Sequence, residues 1–113
     1  MDGVQLTLNA KSRPIMVCDF SKMTVGERVM LIVHYRWGGN QAAYAAHLGV
    51  TPQRLNSPIR GGGLSKRLNA LIRQSVPGLT SMWLEDGDIR GMPPELLDVL
   101  ADVAGRLSRK TAP

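Results

Sequence analysis

The chain is poor in the residues from which most catalytic and metal-binding sites are built. It has one cysteine, Cys18, and two histidines, His34 and His47, among 113 residues. One cysteine excludes an intrachain disulfide, and two histidines in unrelated settings argue against a metal site. No GxSxG or HExxH motif is present, and no pair of carboxylates suggests a cleft. The sequence therefore predicts a protein that is not an enzyme, with no cofactor, no metal and no evident small-molecule substrate.

Long apolar runs and aromatic side chains are also scarce. No run reaches the roughly 18–20 residues of a membrane span, and the N-terminus lacks the apolar core of a signal peptide. We therefore expect a cytoplasmic protein that does not enter a membrane. Aromatic residues make up 4% of the chain, whereas hydrophobic residues as a whole make up 43%. A core built mostly from Leu, Val, Ile, Met and Ala favours packed helices, and hence an all-α fold.

Acidic residues are missing from the middle of the chain. All nine lie outside residues 28–84, and the formal net charge of the chain is +5. This window carries only basic charge, from Arg28, Arg36, Arg54, Arg60, Lys66, Arg67 and Arg73. An uninterrupted basic segment is the electrostatic footprint of a protein that binds phosphate backbones. The alternative is a basic surface with no particular partner.

Two short helices joined by a glycine turn are predicted over residues 41–60, QAAYAAHLGVTPQRLNSPIR. Ala45 belongs to an apolar pattern of small residues at helical spacing, and Gly49 can end the first helix in the left-handed conformation. Thr51 is a good N-cap for a second helix, and Pro52 suits its first position, where a missing N–H does no harm.

This segment resembles the helix-turn-helix of the phage-repressor-like (Cro-like, XRE-like) transcriptional regulators. The likeness depends on the polar Gln41, on Ala45 four residues later, on Leu-Gly-Val at positions 48–50 and on Leu55 in the second helix. The motif covers about a fifth of the chain, and the flanking helical pattern extends the likeness to residues 24–90.

The resemblance implies a sequence-specific DNA-binding regulator of transcription and favours a repressor. It would bind double-stranded DNA as a homodimer and read the major groove with the helix around residues 52–57. Base-edge readers fall at Gln53, Asn56 and Ser57, and Gln or Asn amides suit the N6/N7 edge of adenine. Gln41 matches a family position that contacts the phosphate backbone.

Five further residues are candidate DNA contacts. Thr51 caps the second helix and offers its hydroxyl to a phosphate. Arg54 suits either a guanine or a phosphate. Arg60, Lys66 and Arg67 are expected to bind the backbone, which adds affinity and salt dependence but no sequence information.

Pro58 departs from the family pattern, which has an apolar residue at that place. A proline in a helix interior removes a hydrogen bond and costs about 3 kcal/mol. We therefore expect the recognition helix to end near Ser57 or to kink there, so that Arg60 need not share a face with Gln53 and Asn56. This departure motivates an alternative function. The fold would be kept while DNA binding is altered or lost, and the protein would act on another protein as an antiactivator or co-regulator.

The remaining pattern completes a compact bundle of about five to six helices. A capping box, T-x-x-E at residues 24–27, opens the first helix, which stops at Gly38. Further helices are expected over residues 65–76, around residues 79–84 and over residues 94–108. In the resembling family a short helix with a tryptophan closes the core, and Trp83 matches that residue.

Three regions follow from this pattern. Residues 1–23 form an N-terminal arm, extended or partly disordered, in which short strands, a hairpin, an arm that pairs with a partner chain and a flexible leader stay open. Residues 24–90 form the helix-turn-helix DNA-binding domain. Residues 91–113 form a C-terminal helix and a short tail. The apolar stripe of that helix, Leu96, Leu100, Val103 and Leu107, could pack on its own domain or form a dimer interface, and we favour the interface.

Overall fold

The structure, a computed structural model, describes residues 18–111, and for residues 109–111 it describes the backbone alone. Within this range every regular element is a helix. A 3₁₀-helix, η1 (Phe20–Lys22), precedes α1 (Val25–Trp37), α2 (Gln41–Leu48), α3 (Pro52–Ile59), α4 (Lys66–Ser75), α5 (Ser81–Asp86) and α6 (Pro94–Thr111). The predicted all-α fold of five to six helices is confirmed. Most of the predicted N-terminal arm, residues 1–17, lies outside the described residues.

Side-chain caps fix the helix that opens the domain. In the predicted capping box, Glu27 N–H donates to Thr24 Oγ1 (3.0 Å) and Thr24 N–H donates to Glu27 Oε1 (2.8 Å). The pair satisfies two of the backbone donors that a helix start leaves free. α1 ends at Gly38, which is left-handed with φ of 60°.

The predicted turn between α2 and α3 is also confirmed. Asn40 caps α2 by accepting from Ala43 N–H (3.0 Å), and Gly49 ends it in the left-handed conformation at φ 78°. Thr51 then caps α3 by accepting from Arg54 N–H (3.2 Å). The sequence places the start of each helix because each cap is a local side-chain-to-backbone bond.

α3 does not end near Ser57, as the proline had suggested, but continues through Pro58 to Ile59, with Arg60 as its C-cap. Pro58 lies in the last turn, so the hydrogen bond that it removes is one of the last in the helix. The end of the helix is secured in another way. Arg60 N–H donates to the carbonyl of Asn56 (3.0 Å), and Gly62 N–H donates to that of Ser57 (2.8 Å).

The core draws buried apolar residues from all six α-helices. Trp83, Tyr44 and Leu55 are fully buried within it, and Trp83 closes the core as the family likeness implied. Phe20, which precedes α1, packs edge-on against Trp83 with ring centroids 5.4 Å apart. The folded body therefore includes η1, from the end of the segment that was assigned to the arm.

Arg28 does not belong to the basic surface, although it falls in the acid-free window. It is 3% exposed and donates to four backbone carbonyls. Two of these are on the segment before α1, Phe20 (2.8 Å) and Met23 (2.6 Å), and two are on α5, Leu84 (2.9 Å) and Glu85 (2.7 Å). Burial lowers the pKa of Arg28 from its ordinary value, and the nearby carboxylates of Asp86 and Glu27 oppose that shift. Its role is to join two segments of the core.

α6 packs on its own domain. Leu96, Leu100 and Val103 of the apolar stripe are buried, and α6 packs against α1. The chain itself covers these three residues, whereas Leu107, the last residue of the stripe, is half-buried. A homodimer, and an interface on this helix, stay predictions. None of the helices between residues 18 and 111 is long and apolar enough to cross a membrane.

Candidate nucleic-acid interface

The outer face of α3 carries polar side chains, whereas its inner face is apolar. Successive helical residues are turned by about 100° from one another. Leu55 and Pro58 are buried against the core, while Gln53 and Ser57 are exposed and Asn56 is half-buried. Since α3 continues past Ser57, Arg60 follows Gln53 by seven positions, or two turns. Helical spacing predicts the same side of α3 for Arg60, its exposed C-cap, and for Gln53.

A groove separates one side of α3 from the start of α4, and we call it the α3–α4 groove. Its volume is about 480 Å³. Thr51, Arg54 and Ser57 line it from the α3 side, and Ser65 and Arg67 line it from the α4 side. Its apolar floor is formed by Val50, Pro58, Leu68 and Leu71, and none of the residues that line it is acidic.

Both helices that border the groove begin at it. Thr51 Oγ1 accepts from Arg54 N–H (3.2 Å), and Ser65 Oγ accepts from Leu68 N–H (3.1 Å). A hydroxyl that accepts such a bond keeps its own proton free to donate. Two N-terminal helix ends, each with unpaired backbone N–H groups and a partial positive charge, thus face the same space.

The glycine loop holds the two sides of the groove together. Gly61 is left-handed with φ of 100°, which glycine adopts without strain. At Gly62 a Cβ atom would lie 2.5 Å from Ser57 Oγ, so only glycine fits this close against α3. Together with the Gly62–Ser57 backbone bond, this contact makes the loop an ordered link that sets where α4 begins.

The structure divides the predicted site residues into three places. Thr51, Arg54, Ser57 and Arg67 meet in the α3–α4 groove. Outside the groove, α3 carries Gln53, Asn56 and Arg60, and Lys66 is exposed at the first position of α4. Gln41 is half-buried at the first position of α2.

Ser65 is a groove residue that the sequence analysis placed only at the start of a predicted helix. A pattern in the sequence that could have identified Ser65 is a hydroxyl cap followed closely by an arginine, which occurs twice. A hydroxyl cap is followed by an arginine three residues later at Thr51 and Arg54, and two residues later at Ser65 and Arg67. That these two patterns face each other depends on how α3 and α4 pack, which the sequence does not show.

The other basic residues of the acid-free window have different surroundings. Arg73 donates from Nε to Asn69 Oδ1 (2.6 Å), and the buried Asn69 in turn donates to Glu85 Oε2 (2.6 Å) and Ser81 Oγ (3.1 Å). Arg73 is therefore tied into a network that joins α4 to α5. Arg36 is exposed and lies over the Tyr35 ring, with its Cζ 5.6 Å from the ring centroid.

The junction between α1 and α2 is aromatic. Trp37 is half-buried there, with its ring centroid 4.2 Å from that of Tyr44 and 5.1 Å from that of His47. Tyr44 is fully buried, and its hydroxyl hydrogen-bonds Ser75 Oγ (2.7 Å). Burial raises the pKa of Tyr44 to about 12, and the bond to Ser75 opposes the shift.

Residues 18–111 hold no group of three or more His, Cys, Asp or Glu side chains that could bind a metal ion. Cys18 is half-buried, and burial, followed by the charge of Asp19, raises the pKa of its thiol. A raised pKa keeps the thiol protonated at neutral pH, and the protonated form is a poor nucleophile.

Comparisons with known proteins add no relative to this description. No protein-family model matches the chain, and no curated protein and no solved structure gave a match. The functional argument therefore depends on the residues and their arrangement.

Proposed function

We propose that the protein is a sequence-specific DNA-binding regulator of transcription, a repressor that acts in the cytoplasm as a homodimer. The observation that carries the proposal is the outer face of α3. Polar side chains cover it, exposed cations flank it, and residues 28–84 contain no acidic residue that would repel a phosphate. α2 and α3 supply the helix, glycine turn and capped second helix of a helix-turn-helix.

In this proposal α3 enters the major groove and its amide side chains read base edges. Gln53 is exposed and Asn56 is half-buried on α3, one turn apart. A Gln or Asn amide can donate to and accept from the N6/N7 edge of adenine, and each such pair is worth about 1–3 kcal/mol of discrimination. Ser57, exposed one residue further on at the edge of the α3–α4 groove, has a hydroxyl that can bind either a base or a phosphate.

The flanking residues would hold the protein on the phosphate backbone. Arg60 and Lys66 are exposed at the end of α3 and the start of α4, and Gln41 starts α2. Lys and Arg that neutralise phosphates release counterions from DNA, so the affinity falls as salt rises. Backbone N–H groups at a helix start add contacts that position the protein without carrying sequence information.

A second candidate function is binding to another regulator through the same fold, without DNA. The observation that favours it is the small size of α3, which has eight residues, two of them prolines, Pro52 and Pro58. A short recognition helix presents few base readers. The absence of acidic residues from residues 28–84 favours the DNA proposal, because a surface that binds protein has no need to exclude acids.

Fluorescence anisotropy distinguishes the two candidates. The protein would be titrated into a labelled duplex from upstream of its own gene and into a scrambled duplex, at low and at near-physiological salt. We expect tighter binding to the first duplex and an affinity for both that falls steeply with salt. Absence of binding to either duplex at low salt would refute the DNA proposal and favour the protein partner.

A further inference from the structure

We infer that Arg54 is a phosphate anchor and not a base reader, and that Arg54 and Arg67 together bind one phosphodiester of the DNA backbone in the α3–α4 groove. The sequence leaves both roles open for Arg54. The inference rests on the proposed function, which it deepens by assigning one flank of the recognition helix to the backbone.

Arg54 lies on the flank of α3 that borders the α3–α4 groove. Arg54 is exposed and is one of the residues that line the α3–α4 groove, whereas its neighbour Gln53 is not. Adjacent helical residues are turned by about 100°, so a side chain on the flank cannot share the central outer face with Gln53. Thr51, at the start of the same helix, lines the same groove.

A second arginine, Arg67, lines the same groove. Arg67 lines it from α4, so two arginines on different helices border one concave space. A guanidinium group is permanently charged, and its planar set of donors matches the oxygens of a phosphate. A phosphodiester carries a negative charge that both guanidinium groups can neutralise, whereas a base edge carries no net charge.

Three residues with hydroxyl groups, Thr51, Ser57 and Ser65, also line the groove. Thr51 and Ser65 each accept a backbone hydrogen bond as helix caps and retain a hydroxyl proton to donate. Ser57 lines the groove between them and is exposed. These neutral donors suit an anion whose charge the two arginines neutralise.

A phosphate bound in the groove would fix the register of the protein on the DNA. Backbone contacts fix the position and orientation of a protein on the duplex, while base contacts specify the sequence. A phosphate held beside α3 would set where Gln53 and Asn56 meet the bases. Replacing Arg54 would then weaken binding to every sequence by a similar factor.

The test compares Arg54→Ala and Arg67→Ala with the wild-type chain on two duplexes. One duplex is selected from a randomised pool with the wild-type protein, and the other is a scrambled version of it. Affinities are measured over a series of salt concentrations. Arg36→Ala is the matched control, because it removes one exposed positive charge that does not line the groove.

We expect each groove variant to bind both duplexes more weakly by a similar factor, with an unchanged preference for the selected duplex. Because the two side chains share one phosphate, the double variant should lower the slope of log affinity against log salt by about 1, and each single variant by less. The double variant should lose less affinity than the sum of the two single losses, since both side chains bind one phosphate. The control should keep the wild-type slope.

Two results would overturn the inference while leaving the proposed function intact. In the first, Arg54→Ala loses the preference for the selected duplex and keeps the wild-type slope, as a base reader would. In the second, Arg54→Ala binds both duplexes as the wild type does. If the wild-type chain selects and binds no duplex at all, the proposed function fails and this inference fails with it.

Discussion

Arg28 shows at the scale of one residue how a charged side chain can serve the core. Its guanidinium group supplies donors to carbonyls of the segment before α1 and of α5, the two segments that pack around Phe20 and Trp83. Each carbonyl in such a place needs a donor, because a buried polar group without a partner costs about 1–3 kcal/mol. One residue thus donates to four carbonyls, of which Phe20 has a second donor in Met23 N–H (3.1 Å).

We expect Arg28→Met to lower the free energy of unfolding by about 3 kcal/mol, because methionine fills the volume but removes the donor of the buried Leu84 carbonyl and breaks the bonds that join α5 to the segment before α1. Urea denaturation followed by tryptophan fluorescence measures the change. Arg67→Met, at an exposed position, is the control and should shift stability by no more than about 0.5 kcal/mol. Equal stability of the two variants would show that the four hydrogen bonds do not stabilise the core.

Tyr44 gives a residue-scale prediction about pH. Its pKa in the folded chain is raised to about 12 from the ordinary value of 10, so the phenol stays protonated in the folded state while it ionises in the unfolded state. Its contribution to stability is therefore complete below pH 10 and is lost as the pH rises from about 10 to 12.

The comparison that isolates this effect is with Tyr44→Phe. Urea denaturation of both proteins between pH 9 and pH 11.5 should show a steeper loss of stability in the wild type, because phenylalanine has no proton to release in the unfolded state. The same pH dependence in both proteins would mean that Tyr44 ionises equally in the two states.

At the scale of the elements, the position of α3 depends on its contact with α1. A Cβ atom on Gly26 would lie 2.3 Å from the carbonyl oxygen of Ile59 and 2.8 Å from its Cα. The two helices therefore meet backbone to backbone at the first turn of α1 and the last turn of α3. The missing side chain of Gly26 is what lets α3 lie this close to α1.

We expect Gly26→Ala to destabilise the fold by about 1–3 kcal/mol, the usual cost of overpacking. The sign of the change in stability is informative, because alanine is about 1 kcal/mol more favourable than glycine inside a helix when there is room for its side chain. Thermal denaturation measures the effect. Gly63→Ala is the control, since no atom lies within 4 Å of an added Cβ there, and it should leave stability unchanged or slightly higher. A stabilised Gly26→Ala variant would contradict the close approach of α1 and α3.

The sequence predicted the elements well where local bonds decide them. The capping box at Thr24, the cap at Thr51 and the left-handed Gly49 all depend on neighbours within a few residues, and all three are present. The end of α3 was placed too early because Pro58 was judged by the rule for helix interiors, whereas it lies in the last turn. There the Gly62–Ser57 bond helps to secure the chain.

The tertiary features could not be predicted from local patterns. Arg28 carries the same charge as Arg54, but it is buried. Two of the carbonyls to which it donates lie on α5, 56 and 57 residues away, and no local pattern shows that α5 packs there. The α3–α4 groove likewise forms only where the fold brings the caps Thr51 and Ser65 to the same place. The packing of the apolar stripe of α6 against α1 also depends on the tertiary fold.

At the scale of the whole molecule, α3 and α4 carry basic side chains and no acidic ones, whereas α1 and α6 carry both signs. The exposed cations of α3, its C-cap and α4 are Arg54, Arg60, Lys66, Arg67 and Arg73. The exposed acids Asp19, Glu85 and Asp86 lie beside η1 and on α5, which pack together. A separation of this kind orients a protein as it approaches a polyanion, because the basic elements are attracted and the acidic ones repelled.

The measurement that tests the central claim most directly is the DNA preference of a variant in which both proposed readers are removed. The wild type, Gln53→Ala/Asn56→Ala and the control Gln74→Ala, an exposed glutamine on α4, would be titrated by fluorescence anisotropy into the duplex selected by the wild type and into its scramble. If α3 reads base edges through these amides, the double variant loses about 2–6 kcal/mol of preference for the selected duplex, while its affinity for the scramble and its salt slope stay at the wild-type values. An unchanged preference in the double variant would contradict the claim that this face of α3 reads DNA sequence.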